Sequence, residues 1–458
     1  MSTDICAQVL DLVKSQSPTA EAEVTVDTTD LALTRFANSF IHQNVAEATT
    51  TVRLRLHDDG RTAAGTTTIV DTQGLLGLVE RTIAAARLCP PDSQWPGLAP
   101  PAPTSPLPSV DEETAQADPA ARAARVRDFV AAADGLEAAG YCSTVRMATS
   151  FANSAGMSAD ALTALAAMDG IARAGTADGV SRIASSRLSD LDGSQLGARA
   201  ATKARGSLQP QELPAGRYEV VLEPTAVVDL LENLSFYAFN GKAVNERRSF
   251  IEVGAAQFDP ILSIVDDPFD PLGLAFAFDA EGTPKQRLMF VDAGLSATVA
   301  HDRRSAVQAG TTSTGHALPG AAAFGAIATN LHLLSSDGES APGEVEGPAV
   351  DSSVSALVGQ VSRGLLVSDF WYTRVLDPRT LVITGLTRNG VWLIEDGVVT
   401  KPVQNLRFTQ SYPQALAPGG VLGVGSHSVG LPSGWDLLAF RAPALRLASW
   451  NFTGNASG

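Results

Sequence analysis

The sequence predicts an α+β protein: an N-terminal α/β domain of antiparallel strands with flanking helices, then a β-rich C-terminal domain. Three observations carry this reading. Strand-type runs between residues 22 and 68 follow one another without helices between them, which suits antiparallel pairing. Helical spacing is confined to a few segments that flank such runs. Past a proline- and glycine-marked boundary near residue 210, the chain is mostly strand and loop. At 458 residues there is enough chain for two or three buried cores.

The elements follow in order. "MSTDICAQVLDLVKS" is an amphipathic helix, with no basic stretch leading into an apolar one, so it does not read as a signal peptide. "AEVTVD", "LALTRFA" and "TTVRLRLHDDGRTAAGTTTIV" alternate as strands, with a hairpin signal at Asp59-Gly60. Residues 71–88 return to helical spacing. "CPPDSQWPGLAPPAPTSPLP" has too many prolines for helix or sheet and predicts an extended surface loop. "PAARAARVRDFVAAADGLEAAG" is an alanine-rich helix with Pro119 near its start. "STVRMATSFANSAG", "MSADALTALAAM" and "GVSRIASSRL" are strands, and "SDLDGSQLGARAATKARGS" closes the half as a helix. This gives a first domain over 1–205, a linker over 206–216 and a second domain over 217–458. The second opens with a strand that meets a helix at Pro224, with Val227, Leu231 and Leu234 on one face. No repeat of fixed period is visible.

Charge narrows the function classes. Thirty-three basic and 49 acidic residues give a net charge of −16, which argues against nucleic acid or anionic lipid as the main partner. Cys6, Cys89 and Cys142 are too few for a disulfide framework and fit a reducing, cytoplasmic setting. No apolar run approaches the roughly 18 residues of a membrane helix. Residues 305–336 and 408–435 carry no Asp, Glu, Lys or Arg. In so acidic a chain, such segments are expected to be covered by other protein or to line a cavity.

The chemistry-bearing residues are sparse. The histidines, at 42, 57, 301, 316, 332 and 427, include no pair three to five residues apart, so no zinc helix of the HExxH type can form. "VDDPFDP" lacks calcium-loop spacing and reads as turn initiators. "GTTSTGHA" and "GVGSHSVG" set Ser beside His in glycine-rich loops but do not match a nucleophile elbow. In "FDAEGTPKQRLMFVDAGL", Asp292 is expected at a hairpin corner, as is Asp396 in "GVWLIEDGVVTKPV". Asp279 and Glu281 precede the first hairpin, and either a paired-carboxylate role or a turn role is open to them.

These motifs bear a resemblance to a known family. "FDAEGTPKQRLMFVDAGLSATVAHDRRSA" followed by "GTTSTGHA" resembles the signature of the TldD/PmbA family of metallopeptidase-related proteins. "RFANSFIHQN", "NGKAVNERRSFIEVG" and "GVWLIEDGVVTKPVQNL" are similar to other family segments, in the same order, over about residues 20–450. Catalytic members carry a HExxxH zinc motif on the helix after the domain boundary and a late cysteine ligand. Here that helix offers Asp229 and Glu232 without histidine, and no cysteine follows Cys142. The chain is thus similar to the TldE or PmbA kind. The resemblance implies no catalytic or metal residue and no cofactor in this chain, with zinc in a TldD-like partner subunit. It implies a two-subunit peptidase acting on extended, unfolded or leader peptides, with a cavity shared between the partners. An alternative is a homodimeric peptide-binding module without hydrolytic activity. Asp279, Glu281, Gly282 and Thr283, with Ser313, Thr314, Gly315 and His316, are the candidates for peptide contact or cavity lining.

Overall fold

The computed structural model describes residues 2–334, 352–433 and 438–456, so the ends of both charge-free stretches, 335–336 and 434–435, lie outside the described residues. The first domain is one six-stranded sheet. Its strands are β1 (Glu21–Ala37), β2 (Phe40–Asp58), β3 (Arg61–Thr67), β4 (Glu137–Asn153), β5 (Ser158–Ala174) and β6 (Ala177–Ser185). They lie in the order β3-β2-β1-β4-β5-β6, and every neighbouring pair is antiparallel.

The strands are longer than the runs read from the sequence. The polar stretch Asp27–Asp30 does not end β1, which pairs with β2 without a break from Glu21 to Arg35. Alternation explains this. Ala22, Val24 and Val26 are buried with Val52, Leu54 and Leu56 beneath helices Ser2–Gln16 and Thr72–Leu88, while the intervening polar residues face the other way. Helices Pro119–Ala132 and Gly193–Gly206 cover the far half of the same face, over Phe36, Cys142, Ala166 and Met168. The sheet is therefore two units of helix, three strands and helix, meeting at β1 and β4. This repetition of plan left no sequence period.

Local chemistry sets the ends. Asp71 accepts from the Gly74 N–H at 2.8 Å to cap one helix, and Asp118 accepts from Ala121 at 2.7 Å to cap another, with Pro119 in its first turn. That second helix stops at Ala132, short of the Gly140 read from the sequence. Asp134 and Gly135, at φ 52° and 79°, turn the chain, and Glu137 already belongs to β4.

The second domain holds two sheets. One has six strands, in the order 295–296, 288–292, 264–266, 330–333, 439–442 and 429–432. The other has seven, with 363–377, 216–222, 445–455, 406–411, 382–395 and 398–402 in sequence across it and 421–424 paired to 445–455. Helix Pro224–Asn233 packs into the shared core through Val227, Leu230 and Leu231, and its apolar face continues through Leu234 in a π-turn. Both expected hairpins are present. Asp396 and Gly397 occupy one corner, at φ 49° and 78°. At the other, Ala293 and Gly294 take the corner and Asp292 ends the incoming strand. The charge-free stretches divide: Ala326, Ile327, Phe408 and Tyr412 enter the core, whereas 317–322 face the cavity described below.

Charged side chains join the two domains. Arg55 reaches Glu281, Arg182 reaches Asp369, Lys203 reaches Glu223, and Asp92 holds Arg304 at two points. The proline-rich loop crosses this junction. Its Leu98 carbonyl accepts from Arg303 at 2.9 Å, and Leu98 and Ala99 are buried, so the loop is tied down where the sequence suggested only a surface excursion. Among the described residues no helix is long and apolar enough to cross a membrane.

Candidate functional site

Where the second domain closes over the open face of the first sheet lies a cavity of about 970 Å³. The period of two that buries Val24 and Val26 on one side sets Glu23, Thr25, Asp27 and Thr29 on its floor, beside Arg53 and Arg55 of β2. The roof comes from the loop 276–281, Lys285 and the segment 317–322. Its volume is at the upper end of the roughly 300–1,000 Å³ usual for ligand pockets.

The floor and roof meet in an ion network. Arg55 donates through Nε to Glu23 Oε1 at 2.6 Å and through both terminal nitrogens to Glu281 Oε1 at 3.1 and 3.0 Å. Its guanidinium also stands 5.0 Å over Trp95, which stacks on His57. Glu281 Oε2 accepts the Arg303 backbone N–H at 2.8 Å, in the first turn of helix Arg303–Ala309. Beside them, Arg53 pairs with Asp27. Burial pushes the Glu23 carboxyl above its ordinary value, against the pull of Arg55. Among the described residues Glu23 Oε2 has no hydrogen-bond partner.

Asp279 closes a turn and lines the wall at once. Its Oδ1 accepts the N–H groups of Glu281 and Thr283, each at 2.9 Å, and its Oδ2 accepts that of Ala317 at 2.9 Å. Burial, and after it the charge of Glu281, raise the Asp279 pKa from 3.8 to about 7, outweighing these donors and Lys285. An unfolded carboxyl titrates near its ordinary value, so between about pH 4 and about pH 7 the folded chain binds the extra proton. Its contribution to stability is present at the acid end and is lost as pH rises across that window. Asp279→Asn is expected to flatten this segment of the stability curve, checked by urea unfolding at about pH 5 and about pH 8.

Gly282 and Thr283 stand behind the wall. Gly282 has φ 73°, and a Cβ there would lie 2.1 Å from Phe151 Cε1 of β4. Gly282→Ala is therefore expected to cost roughly 2–3 kcal/mol, from a left-handed backbone and an overfilled contact, seen as a lowered melting temperature.

Ser313, Thr314, Gly315 and His316 are not among the lining residues; they buttress the wall from behind. Ser313 and Thr314 hydroxyls meet the His301 carbonyl, each at 3.1 Å. Gly315, at φ 75°, lets this turn pass the Pro284 carbonyl, which a Cβ would approach to 2.4 Å. His316 is fully buried, with Nε2 2.9 Å from Asp266 Oδ2 and Nδ1 3.0 Å from the Thr314 hydroxyl. Burial holds His316 below its ordinary pKa, and Lys285 adds to that. Nδ1 also lies 2.9 Å from the Thr314 carbonyl, so both ring nitrogens face oxygens that can accept. Burial pushes Asp266 the other way, but the bond and charge of His316 and the charge of Lys285 hold it at about 2. Asp266, read from the sequence as a turn initiator, is thus a core acceptor. Its neighbours Asp267 and Asp270 do cap turns, accepting from Phe269 and Leu272 at 3.0 Å.

The helix on which catalytic members of such a family would carry zinc ligands is occupied by other chemistry. Asp229 is half-buried and accepts from the Thr373 and Tyr412 hydroxyls, each at 2.6 Å. Burial raises its pKa to about 6. The side chains present at this place do not suit zinc: no imidazole projects from the helix, and its Asp229 carboxylate is already committed. Among the described residues no three His, Cys, Asp or Glu side chains gather closely enough to hold a metal.

Sequence reasoning singled out Asp279 and Glu281 but missed Glu23, Arg53, Arg55, Lys285 and Arg304, which share the cavity with them. A signal existed for the first three. "EAEVTVDTTD" and "TVRLRLHD" alternate polar and apolar residues, so one face of each strand carries charge with no solvent role assigned. Which domain covers that face is tertiary information that spacing cannot supply.

The comparisons with known proteins agree with this architecture. A model of the PmbA/TldA metallopeptidase C-terminal domain matches residues 215–454. TldE from Thermococcus kodakarensis has a similar structure, with a TM-score of 0.84 at 18% identity, covering 98% of this chain and 100% of that chain. A protein of Thermotoga maritima described as a proposed modulator of a DNA gyrase gives a TM-score of 0.81 at 17% identity, covering 98% and 99% of the two chains. At such identities the likeness shows the fold. An uncharacterized protein of Methanocaldococcus jannaschii is 33% identical over 104 residues, 22% of this chain and 25% of that protein's length. The family model spans just over half of the sequence, and the chain belongs to the PmbA/TldD family, with a TldE-like fold.

Proposed function

We propose that this chain is the substrate-binding, zinc-free subunit of a cytoplasmic TldD/TldE-type peptidase. In that role it pairs with a zinc-bearing TldD-like chain and holds extended, unfolded or leader peptides for it. The observation that carries this is the cavity over an antiparallel sheet, lined by both apolar and charged side chains, combined with a helix after the domain boundary that offers Asp229 and Glu232 and no histidine. A part-charged, part-apolar cleft of about 970 Å³ beside a sheet suits an extended chain. The partner would supply the metal and the activated water. The net charge of −16 speaks against a nucleic-acid role.

Mixing tests this. Peptide cleavage by a zinc-bearing family member is measured with and without this chain. The reading expects cleavage that needs both. Equal cleavage by the partner alone, with this chain remaining a dimer of itself, would leave a peptide-binding module instead.

A further inference from the structure

Lys285 stands apart from every other cation on the cavity wall. Arg53, Arg55 and Arg304 each have a carboxylate in contact. Lys285 is only 4% exposed and lines the cavity, yet no hydrogen bond or ion pair reaches its ammonium from the described residues. The two carboxylates close enough to influence it are Asp266 and Asp279, and both are engaged elsewhere. Asp266 is taken by His316 and by the Asn330 N–H at 2.7 Å. Asp279 is taken by three backbone N–H groups. Next to Asn330, the Thr329 hydroxyl is also buried, also on the cavity wall, and also without a partner.

An unpaired buried ammonium is costly, and burial accordingly pulls its pKa down. A bound anion would relieve that cost. We propose that Lys285, with the Thr329 hydroxyl lining the same cavity, is a carboxylate-binding point that anchors one end or one acidic side chain of the bound peptide. This rests on the peptide-binding reading above and adds a specificity to it. A lysine suits the task as a point charge on a flexible stem, able to reach either oxygen of a carboxylate. The carboxylate could be the peptide's C-terminus or an Asp or Glu side chain.

The test is calorimetric titration of the full chain with five probes. They are an extended peptide free of Asp and Glu with a free C-terminus, its C-terminal amide, the amide bearing one internal Glu, and N-acetyl-leucine with its amide as the small control. Wild type is expected to bind a carboxylate probe roughly tenfold or more tighter than the matched neutral one. A preference for the free C-terminus assigns the anchor to the chain end, and a preference for the Glu peptide assigns it to a side chain. Lys285→Met is expected to erase that preference and leave the neutral peptide's affinity unchanged. Lys285→Arg, which keeps the charge, is expected to retain part of it, and thermal unfolding confirms that both variants fold. If Lys285→Met keeps the full carboxylate preference, or wild type shows none, the proposal is overturned while peptide binding stands. If no peptide binds but N-acetyl-leucine binds in a Lys285-dependent way, the anion site stands and the peptide reading fails.

Discussion

Replacing Arg55 by methionine is expected to lower the free energy of unfolding by about 3–5 kcal/mol, the usual cost of removing one partner from a buried ion pair. The change strands two carboxylates at once. Glu23 lies on the floor and Glu281 on the roof, and Arg55 is the cation between them. Methionine fills much of the stem's volume, so the loss is electrostatic rather than a cavity effect. The damage should depend on pH. Burial already holds the Glu23 carboxyl above its ordinary value, and without the guanidinium it would take up its proton at still higher pH. Between the unfolded and folded values the native chain then binds more protons, and stability falls as pH rises. Urea unfolding should show a larger deficit at about pH 8 than at about pH 5.5. A double change, Arg55→Met with Glu281→Gln, should recover part of the loss, because one orphaned charge is gone. Equal stability of wild type and Arg55→Met at both pH values would mean that the network does not tie the domains together.

Lys203→Met is expected to cost about 3 kcal/mol by the same logic at a second seam. Lys203 belongs to the last helix of the first domain, and Glu223 directly precedes helix Pro224–Asn233 of the second. The two are in contact, and Ser368 bridges them, donating to Glu223 Oε2 at 2.8 Å and lying 3.0 Å from the lysine nitrogen. Burial is the largest influence on the lysine and pulls its pKa down, while Glu223 opposes it. Removing the ammonium leaves a buried carboxylate held by the Ser368 hydroxyl, since Glu223 makes no side-chain bond to the helix it precedes. Lys203→Met with Glu223→Gln should be markedly less destabilised than the single change, since neither residue then carries charge. Thermal unfolding of Lys203→Met, Glu223→Gln and the double variant forms the cycle that measures the coupling. A double variant as damaged as the single one would assign the loss to packing rather than to charge.

Local chemistry made much of the first domain legible. Asp59-Gly60, Pro119 and the alternation of "AEVTVD" each specify their element through side-chain geometry close in sequence. The errors came where a local signal competed with tertiary cover. Asp27–Asp30 looked like an interruption because its polar residues have no visible destination in the sequence, and for Asp27 and Thr29 the cavity is that destination. Leu136 to Gly140 looked helical because alanine dominates there, yet pairing with β1 and β5 prevails over propensity. The site was half legible. Asp279 and Glu281 stood out as closely spaced acids, but Arg55 lies 226 residues from Glu281 and Ala317 lies 38 residues from Asp279. His316 drew notice for standing beside Ser and Thr. Its true partner, Asp266, is 50 residues distant, which puts it behind the wall rather than on it.

If this chain grips a peptide and leaves the bond breaking to another subunit, incubating it alone with zinc and an extended peptide separates the two roles. Retained metal and intact peptide are measured together. The peptide is expected to be bound and recovered whole, and zinc to wash away. Chelator-sensitive hydrolysis by the isolated chain would overturn the zinc-free, substrate-binding role.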